Sequence, residues 1–389
     1  MSSQPHIVLI GPAFPYRGGN ALFMAHLYRS LSKEFKITFI NFKLLYPSFL
    51  FPGKTQYDKS NDHFEQVPTL RMINSMNPAS WYKTARFINS IQPDVVVFDW
   101  WQPYFGPCYH GIASRLNSGL KEKILFITEN FISHESRSID LILTKMALKY
   151  AKAFLALSAK VAKDLETLKT GKPIFRSELP VFGWFNRPLI DRTIKLHELN
   201  WPENAKVILF FGYVRKYKGL DILIDAFKIA KKNLPELRLI IAGEFYDDPT
   251  PYLQQIQQSG FKNDIRVFNQ FIPNEEVSMY FDLSDVVVQP YRNATQSGIL
   301  NMAYGFEKPA VVTGVGGLGE FVENDKTGII VKEINPSDVA KGILRFYELK
   351  DTVDFKSNII ERVNENGFGK INTTFHEIIE LIHSLSLKE

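Results

Sequence analysis

Residues 210–227, FFGYVRKYKGLDILIDAF, decide how this chain is read. An apolar run over 207–211 stops at Gly212, and cations follow at Arg215, Lys216 and Lys218. After Gly219, apolar side chains recur at Leu220, Leu223, Ile224 and Phe227, the spacing of one helix face. The pattern predicts a buried strand, a tight basic loop and a helix packed back on the sheet. Arg215 and Lys218 then lie at the carboxyl end of a strand beside a helix start. Open α/β sheets bind ligands there, and phosphates meet both backbone amides and positive charge. The same residues also suit an ordinary solvated loop.

The theme repeats in both directions. Strand candidates before this stretch are 6–10, 36–41, 95–98, 124–128 and 154–157, with helical patterns at 21–33, 80–91, 109–116, 139–150 and 159–168. After it come 238–242, 265–269, 286–289, 310–313 and 328–331. Short apolar runs alternating with amphipathic segments imply parallel sheets flanked by helices. The expected fold is α/β, with two Rossmann-like domains facing each other across a cleft. At 389 residues the chain exceeds what one core usually supports. Pro180, Pro188 and Pro202 interrupt the pattern, which places a first domain at 1–185 and a second at 186–369. Residues 370–389 carry a helical pattern that could cross back to the first domain.

Bulk properties narrow the function. Hydrophobic content of 45% and charged content of 22% are those of an ordinary soluble protein. A single cysteine, Cys108, excludes an internal disulfide framework and a cysteine-based metal cluster, and fits a reducing compartment. No signal peptide precedes the apolar run at 7–10, and no run approaches a bilayer span, so a cytoplasmic location is expected. Residues 1–190 carry 23 Lys and Arg against 13 Asp and Glu; the remainder carries 23 against 28. A basic first half invites an anionic partner or simply aids solubility. Without a basic recognition helix or zinc spacing, a nucleic-acid partner is not expected. The segment 49–52, FLFP, could touch a membrane surface or anchor a loop.

Four further clusters could carry chemistry. Gly18 and Gly19 precede a helix in the first strand–helix turn, which lacks a G-x-G-x-x-G fingerprint but lets a ligand approach the backbone. Asp99, Trp100 and Trp101 open an aromatic stretch suited to stacking sugars or to filling a core. Glu129, Asn130, His134 and Glu135 follow the strand at 124–128 and could hold hydroxyls or move protons, or pair on the surface. Thr295, Gln296, Ser297 and Gly298 open an apolar helix, as a phosphate site, a helix cap or both. A glycine-rich turn follows at 313–319. There is no G-x-S-x-G elbow and no P-loop, and the His and carboxylates show no metal-ligand spacing.

Taken in order, the chain resembles the retaining glycosyltransferases of family four, the group 1 glycosyltransferases, of GT-B fold. The segments that carry the resemblance are 211–219 (FGYVRKYKG), 240–244 (IIAGE), 271–277 (FIPNEEV), 284–291 (SDVVVQPY), 307–313 (EKPAVVT), 316–320 (GGLGE) and 327–331 (TGIIV). The resemblance implies a nucleotide-diphosphate sugar, UDP- or GDP-linked, bound mainly by the second domain through Gly243, Glu244, Phe271, Ile272 and residues 295–298. It implies that Arg215 and Lys218 neutralise the departing diphosphate, so that no metal or other cofactor is needed. Gly18 and Gly19 would lie near the transferred sugar or the phosphates. The acceptor, a glycan or lipid-linked saccharide, would meet the first domain through Asp99, Trp100, Trp101, Asn130 and His134. A basic first half would suit peripheral contact with the inner membrane surface. The expected role is hexosyl transfer in surface polysaccharide or glycolipid synthesis. A non-catalytic nucleotide-sugar-binding subunit, or a sugar-nucleotide epimerase of the same fold, are the alternatives.

Three departures from the family pattern stand out. The two glutamates that many members carry ahead of the Lys-Pro turn are missing, and Thr295 to Gly298 occupy that region. Glu129 holds the place of a frequent histidine, and is the expected catalytic carboxylate of the first domain. Tyr213 holds the place of an arginine after Gly212.

Overall fold

The computed structural model describes residues 4–51, 53–61, 66–131, 138–181 and 190–386. It divides into two compact units. One comprises Met1–Asp58, His63–Pro180 and Asn366–Glu389; the other comprises Val181–Glu365 with Lys59–Asp62.

The first unit is built on seven strands: β1 (His6–Ile10), β2 (Lys36–Leu44), β3 (Leu70–Asn74), β4 (Val95–Trp100), β5 (Ile124–Thr128), β6 (Ala153–Ala156) and β7 (Ile174–Arg176). All are parallel, in the order β3-β2-β1-β4-β5-β6-β7. The second unit has six parallel strands: β8 (Lys206–Phe211), β9 (Leu237–Ala242), β10 (Ile265–Phe268), β11 (Val286–Gln289), β12 (Ala310–Thr313) and β13 (Gly328–Val331). Their order is β10-β9-β8-β11-β12-β13. Each sheet therefore reverses direction of growth once, between β1 and β4 in the first unit and between β8 and β11 in the second. Ligand crevices form beyond the carboxyl ends of the strands at such reversals.

The apolar runs are continuous because both sheet faces are covered. On β8, Val207, Leu209 and Phe211 enter one core, while Ile208 and Phe210 enter another on the opposite face. Each fully buried side chain of this size contributes roughly 1.5–3 kcal/mol. β4 is buried throughout and runs through Trp100, two residues beyond the expected end at 98. Asp99 and Trp100 thus belong to a strand rather than to the loop that follows it. β3 and β7, absent from the expected elements, are the two edges of the first sheet.

The helix Phe368–Ser386 belongs to the first unit. Ile371, Phe375, Ile378 and Ile382 are buried at helical spacing. Asn372 accepts a hydrogen bond from the Ser30 hydroxyl (2.8 Å) and donates to Glu34 (2.7 Å), and His376 meets the other Glu34 oxygen at 2.7 Å. These bonds fix it to the end of the helix Gly19–Leu31.

Candidate active site

The carboxyl ends of β8 and β11 bring the basic loop and the 290–298 loop together. Gly219 ends the basic loop at φ +69° and starts the helix Leu220–Asn233. A Cβ at this position would meet the Pro290 carbonyl at 2.1 Å, so the close approach of the two loops requires glycine. Arg292 locks them. Its backbone amide donates to the Tyr217 carbonyl (2.7 Å), and its guanidinium donates to the Lys216 carbonyl (2.7 Å) and to both Asp221 oxygens (2.9 and 2.6 Å). On the other side the loop is tied to β9. Val214 donates to the Glu244 carbonyl (2.8 Å), Tyr246 donates to the Val214 carbonyl (3.1 Å), and Lys216 donates to Asp247 (2.7 Å).

This scaffold buries Lys218 to 3% exposure. Its ammonium lies 3.7 Å from the Tyr213 ring centroid and 5.7 Å from that of Tyr291. Among the described residues no carboxylate pairs with it. Burial, followed by the nearby Arg215 charge, pushes the Lys218 pKa down to about 7. A cation held out of water without an acid is poised for an anionic ligand.

The helix Gly298–Gly305 supplies the second half of the site. Ser297 caps it by accepting from the Leu300 amide (3.2 Å), and its hydroxyl donates to Gln289 Oε1 (2.8 Å). Gln289, 1% exposed at the end of β11, has no acceptor for its amide Nε2 among the described residues. Nothing lies within 4 Å of the position a Gly298 Cβ would take, so the helix start is open to a ligand. Thr295 is buried, and its carbonyl lies against Gly317 of the glycine-rich turn. Ser297→Ala removes the cap and the only hydrogen bond shown for the Gln289 side chain. A stability loss of about 1 kcal/mol is expected in chemical denaturation.

The remaining expected residues of this unit fall around the same end. Gly243 and Glu244 follow β9, with Glu244 buried. Phe271 and Ile272 lie between β10 and the helix Asn274–Leu283, with Ile272 in the core. Gln296 stands between Thr295 and the Ser297 cap, partly exposed. Arg215, Lys218, Gly243, Glu244 and residues 295–298 are thus brought together at one sheet end.

The first unit gathers its own group at the β1/β4 reversal. Asp99 is fully buried, its Cβ 3.1 Å from where a Gly11 Cβ would stand. Burial raises its carboxyl pKa well above the usual range, reinforced by the nearby charge of Glu129. Glu129 follows β5, its amide donating to the Trp100 carbonyl at 2.9 Å. Both causes favour the neutral, protonated form of Asp99. The adjacent Thr128 hydroxyl is buried, with no hydrogen-bond partner among the described residues. Asn130 donates weakly to the Trp101 carbonyl (3.4 Å). Gly18 caps the helix Gly19–Leu31 at φ +117°, and both Gly18 and Gly19 face open space.

The aromatic cluster is mostly core. Trp100 is fully buried and offers no ring face for stacking a sugar, which corrects the expectation that it contacts an acceptor. Trp101 is 8% exposed and donates its indole N–H to the Tyr46 hydroxyl (3.1 Å). His134 and Glu135 lie outside the described residues. Sequence reasoning missed the Arg292–Asp221 lock and the role of Gln289, both of which depend on strand order. No group of three potential metal ligands occurs among the described residues. Nor is any helix among them long and apolar enough to cross a membrane.

Two all-parallel Rossmann-like units, the second with a cationic loop and an open helix start at its sheet reversal, define a GT-B architecture. Residues 191–365, within the second unit, match the model of the glycosyl transferases group 1. Trehalose synthase of Thermococcus litoralis is 29% identical over 157 residues, which is 39% of this chain and 38% of the relative. The chain therefore matches under two-fifths of that relative's length. Over whole chains, sucrose-phosphate synthase of Thermosynechococcus elongatus superposes with a TM-score of 0.74 at 16% identity, covering 98% of this chain and 100% of the other. HepE of Anabaena, in complex with UDP-glucose, superposes at 0.72 and 16% identity, covering 97% and 99%. At such identities the superpositions speak for the fold.

Proposed function

We propose that the protein is a retaining glycosyltransferase. It moves a hexose from a nucleotide-diphosphate sugar to a glycan or lipid-linked saccharide in surface polysaccharide or glycolipid synthesis. The observation that carries this reading is Lys218, a buried ammonium of the basic loop with no carboxylate partner among the described residues, at the sheet end that also holds an open helix start. Departure of a nucleoside diphosphate builds negative charge on its phosphates as the sugar takes on oxocarbenium character. Fixed cations and amides favour that state over the ground state. Lys218 and Arg215 supply the cations, and the residues from Ser297 the amides. UDP is the first donor nucleotide to test, because HepE holds UDP and UDP-glucose on the same fold. The carboxyl pair of the first unit suits an acceptor hydroxyl, with Glu129 to accept its hydrogen bond and Asp99 held in the neutral form beside it. No metal enters this scheme. Cytoplasmic placement, with the basic first half meeting lipid-linked acceptors at the membrane surface, completes the proposal.

Thermal unfolding in the presence of UDP, GDP, ADP, CMP and NAD tests the donor half of the reading. A ligand at about 100 times its dissociation constant adds roughly 2.7 kcal/mol of stability, a shift easily seen. One nucleoside diphosphate is expected to stand out, and its sugar conjugates then to be consumed only when an acceptor is present. No response to any diphosphate in a folded sample would sink the reading. Tight binding without transfer to any acceptor would point instead to a non-catalytic partner subunit.

A further inference from the structure

The basic excess of the first unit is not spread evenly over its surface. Helices Pro78–Ile91, Gly106–Ala113 and Ser138–Leu148 pack side by side, the second between the other two. They cover the core that takes Ile40 and Phe42 from β2. Lys83, Arg86, Arg115, Lys145 and Lys149 stand exposed on these helices or just past their ends. The one carboxylate of the three helices, Asp140, is buried. Phe39 of β2 faces the other way, its ring 6.2 Å from that of Tyr28 on the helix Gly19–Leu31. On that side the helix Phe368–Ser386 exposes Glu377 and Glu380.

The acid-free face also holds apolar side chains out in water. Phe49 is 79% and Ile142 63% exposed, and Leu50, Met76, Tyr82 and Ile139 are exposed with them. They come from separate segments that meet along one rim, past the carboxyl ends of the strands. Tyr46, beside the turn Ser48–Leu50, has its ring 5.4 Å from that of Tyr104. The Tyr104 hydroxyl meets that of Ser75, next to Met76, at 3.0 Å. The turn Pro103–Phe105 in its turn packs against the helix Ser138–Leu148. Clustered apolar exposure rimmed by charge marks a surface that meets a partner.

We propose that this face docks on an anionic lipid bilayer, with Phe49, Leu50, Ile139 and Ile142 entering the headgroup boundary and the cations meeting lipid phosphates. The inference rests on the acceptor half of the reading above and deepens it by giving the lipid surface a place on the first unit. Apolar side chains gain by leaving water for the acyl boundary, and they need no shaped pocket there. Each Lys or Arg brought to an anionic surface strengthens binding about fivefold. A second copy of the chain fits poorly, because in a symmetric pair this patch would meet itself, cation against cation. A nucleic acid would take the cations and leave Phe49 and Ile142 in water. Glu129 follows β5 at the same sheet end, so a saccharide carried on a bilayer lipid is presented where that carboxylate lies.

Flotation of the full chain tests the inference, with vesicles of phosphatidylcholine alone and of phosphatidylcholine with about 30% phosphatidylglycerol. Binding is expected to the anionic vesicles alone, and should fall steeply with salt. Phe49→Ser combined with Ile142→Ser should weaken it on the order of tenfold or more. Lys145→Gln and Lys149→Gln should each weaken it about fivefold. Ile360→Ser, at an exposed apolar position of the second unit, should bind as the original protein does. All these side chains are exposed, and unchanged melting temperatures check that the variants fold. No binding to anionic vesicles, equal binding to neutral ones, or full binding by the Phe49 and Ile142 double variant would overturn the proposal. The nucleoside-diphosphate response is read on the same samples. Vesicle binding without that response rejects the donor reading and keeps the docking face. The response without vesicle binding rejects the docking face alone and leaves the patch to an acidic protein.

Discussion

Lys218→Met should abolish the nucleoside-diphosphate response and lower turnover roughly 10²–10³-fold, while making the free protein more stable. The two effects share one cause. Lys218 is 3% exposed and pairs with no carboxylate among the described residues, so its charge costs the folded state more than it returns until a ligand arrives. Methionine fills similar space without that charge, and a stability increase of about 1–3 kcal/mol follows from removing it. The sign with pH follows from the lowered pKa. In the folded protein Lys218 releases its proton near pH 7, whereas in the unfolded chain it does so near the ordinary 10.5. The penalty of the buried ammonium is therefore present in full below about pH 7. It disappears as the pH rises from 7 to 10.5, because the unfolded chain binds the extra proton over that window. The stability difference between the two proteins should narrow across the same range in denaturant titrations. Ligand binding has the opposite sense. A diphosphate favours the ammonium, so binding above pH 7 takes up a proton and affinity falls as the pH rises. Equal stability of the two proteins at every pH would show that Lys218 is not held as described.

Gly243→Ala should be the most damaging single change near the site. Gly243 adopts φ +147°, and a Cβ there would lie 2.1 Å from the Gly212 carbonyl oxygen and 2.5 Å from its carbon. Neither side can yield easily. Gly212 donates to the Ala242 carbonyl (2.9 Å) and Gly243 donates to the Phe268 carbonyl (3.0 Å), so β8, β9 and β10 are all locked at this point. A backbone clash combined with a disfavoured φ is expected to cost about 3 kcal/mol or more. For a unit of this size that lowers the melting temperature by roughly 6–12 °C. Any folded fraction would carry a displaced basic loop and bind diphosphate poorly. Gly298→Ala is the contrasting case, since nothing lies within 4 Å of the added methyl. It should melt within a degree or two of the original protein. A Gly243→Ala variant as stable as Gly298→Ala would contradict the packing described for this sheet end.

The central strands were readable because each is buried on both faces, so its residues form an unbroken apolar run. β1, β5, β11 and β12 all begin and end where the runs do, and so does β13, an edge strand buried at three of its four residues. The edges of the first sheet were not readable for the converse reason. β3 is LRMIN with its first two residues exposed, and β7 has only three residues, none of them buried. In β4 the polar Asp99 broke the run and moved Trp100 into an imagined loop, although both are fully buried. At the site, glycines and cations in one loop carry a local signal, so Arg215 and Lys218 stood out. What Lys218 experiences is not local. Its burial depends on Tyr291, 73 positions later, and the Tyr213 ring beside it stacks on Tyr246. A lysine in a basic loop reads as solvated until strand order places β11 beside β8.

The helix Phe368–Ser386 closes the first unit, yet it is encoded after the whole of Val181–Glu365. During synthesis the strands β1 to β7 emerge first and must wait for their last covering helix. At ordinary elongation rates that wait is roughly ten to forty seconds. The second unit, continuous in sequence but for a short segment from the first half, can complete itself in that interval. The unit begun first is thus completed after the second, with the helix Gly19–Leu31 lacking its partner until Phe368–Ser386 has been made.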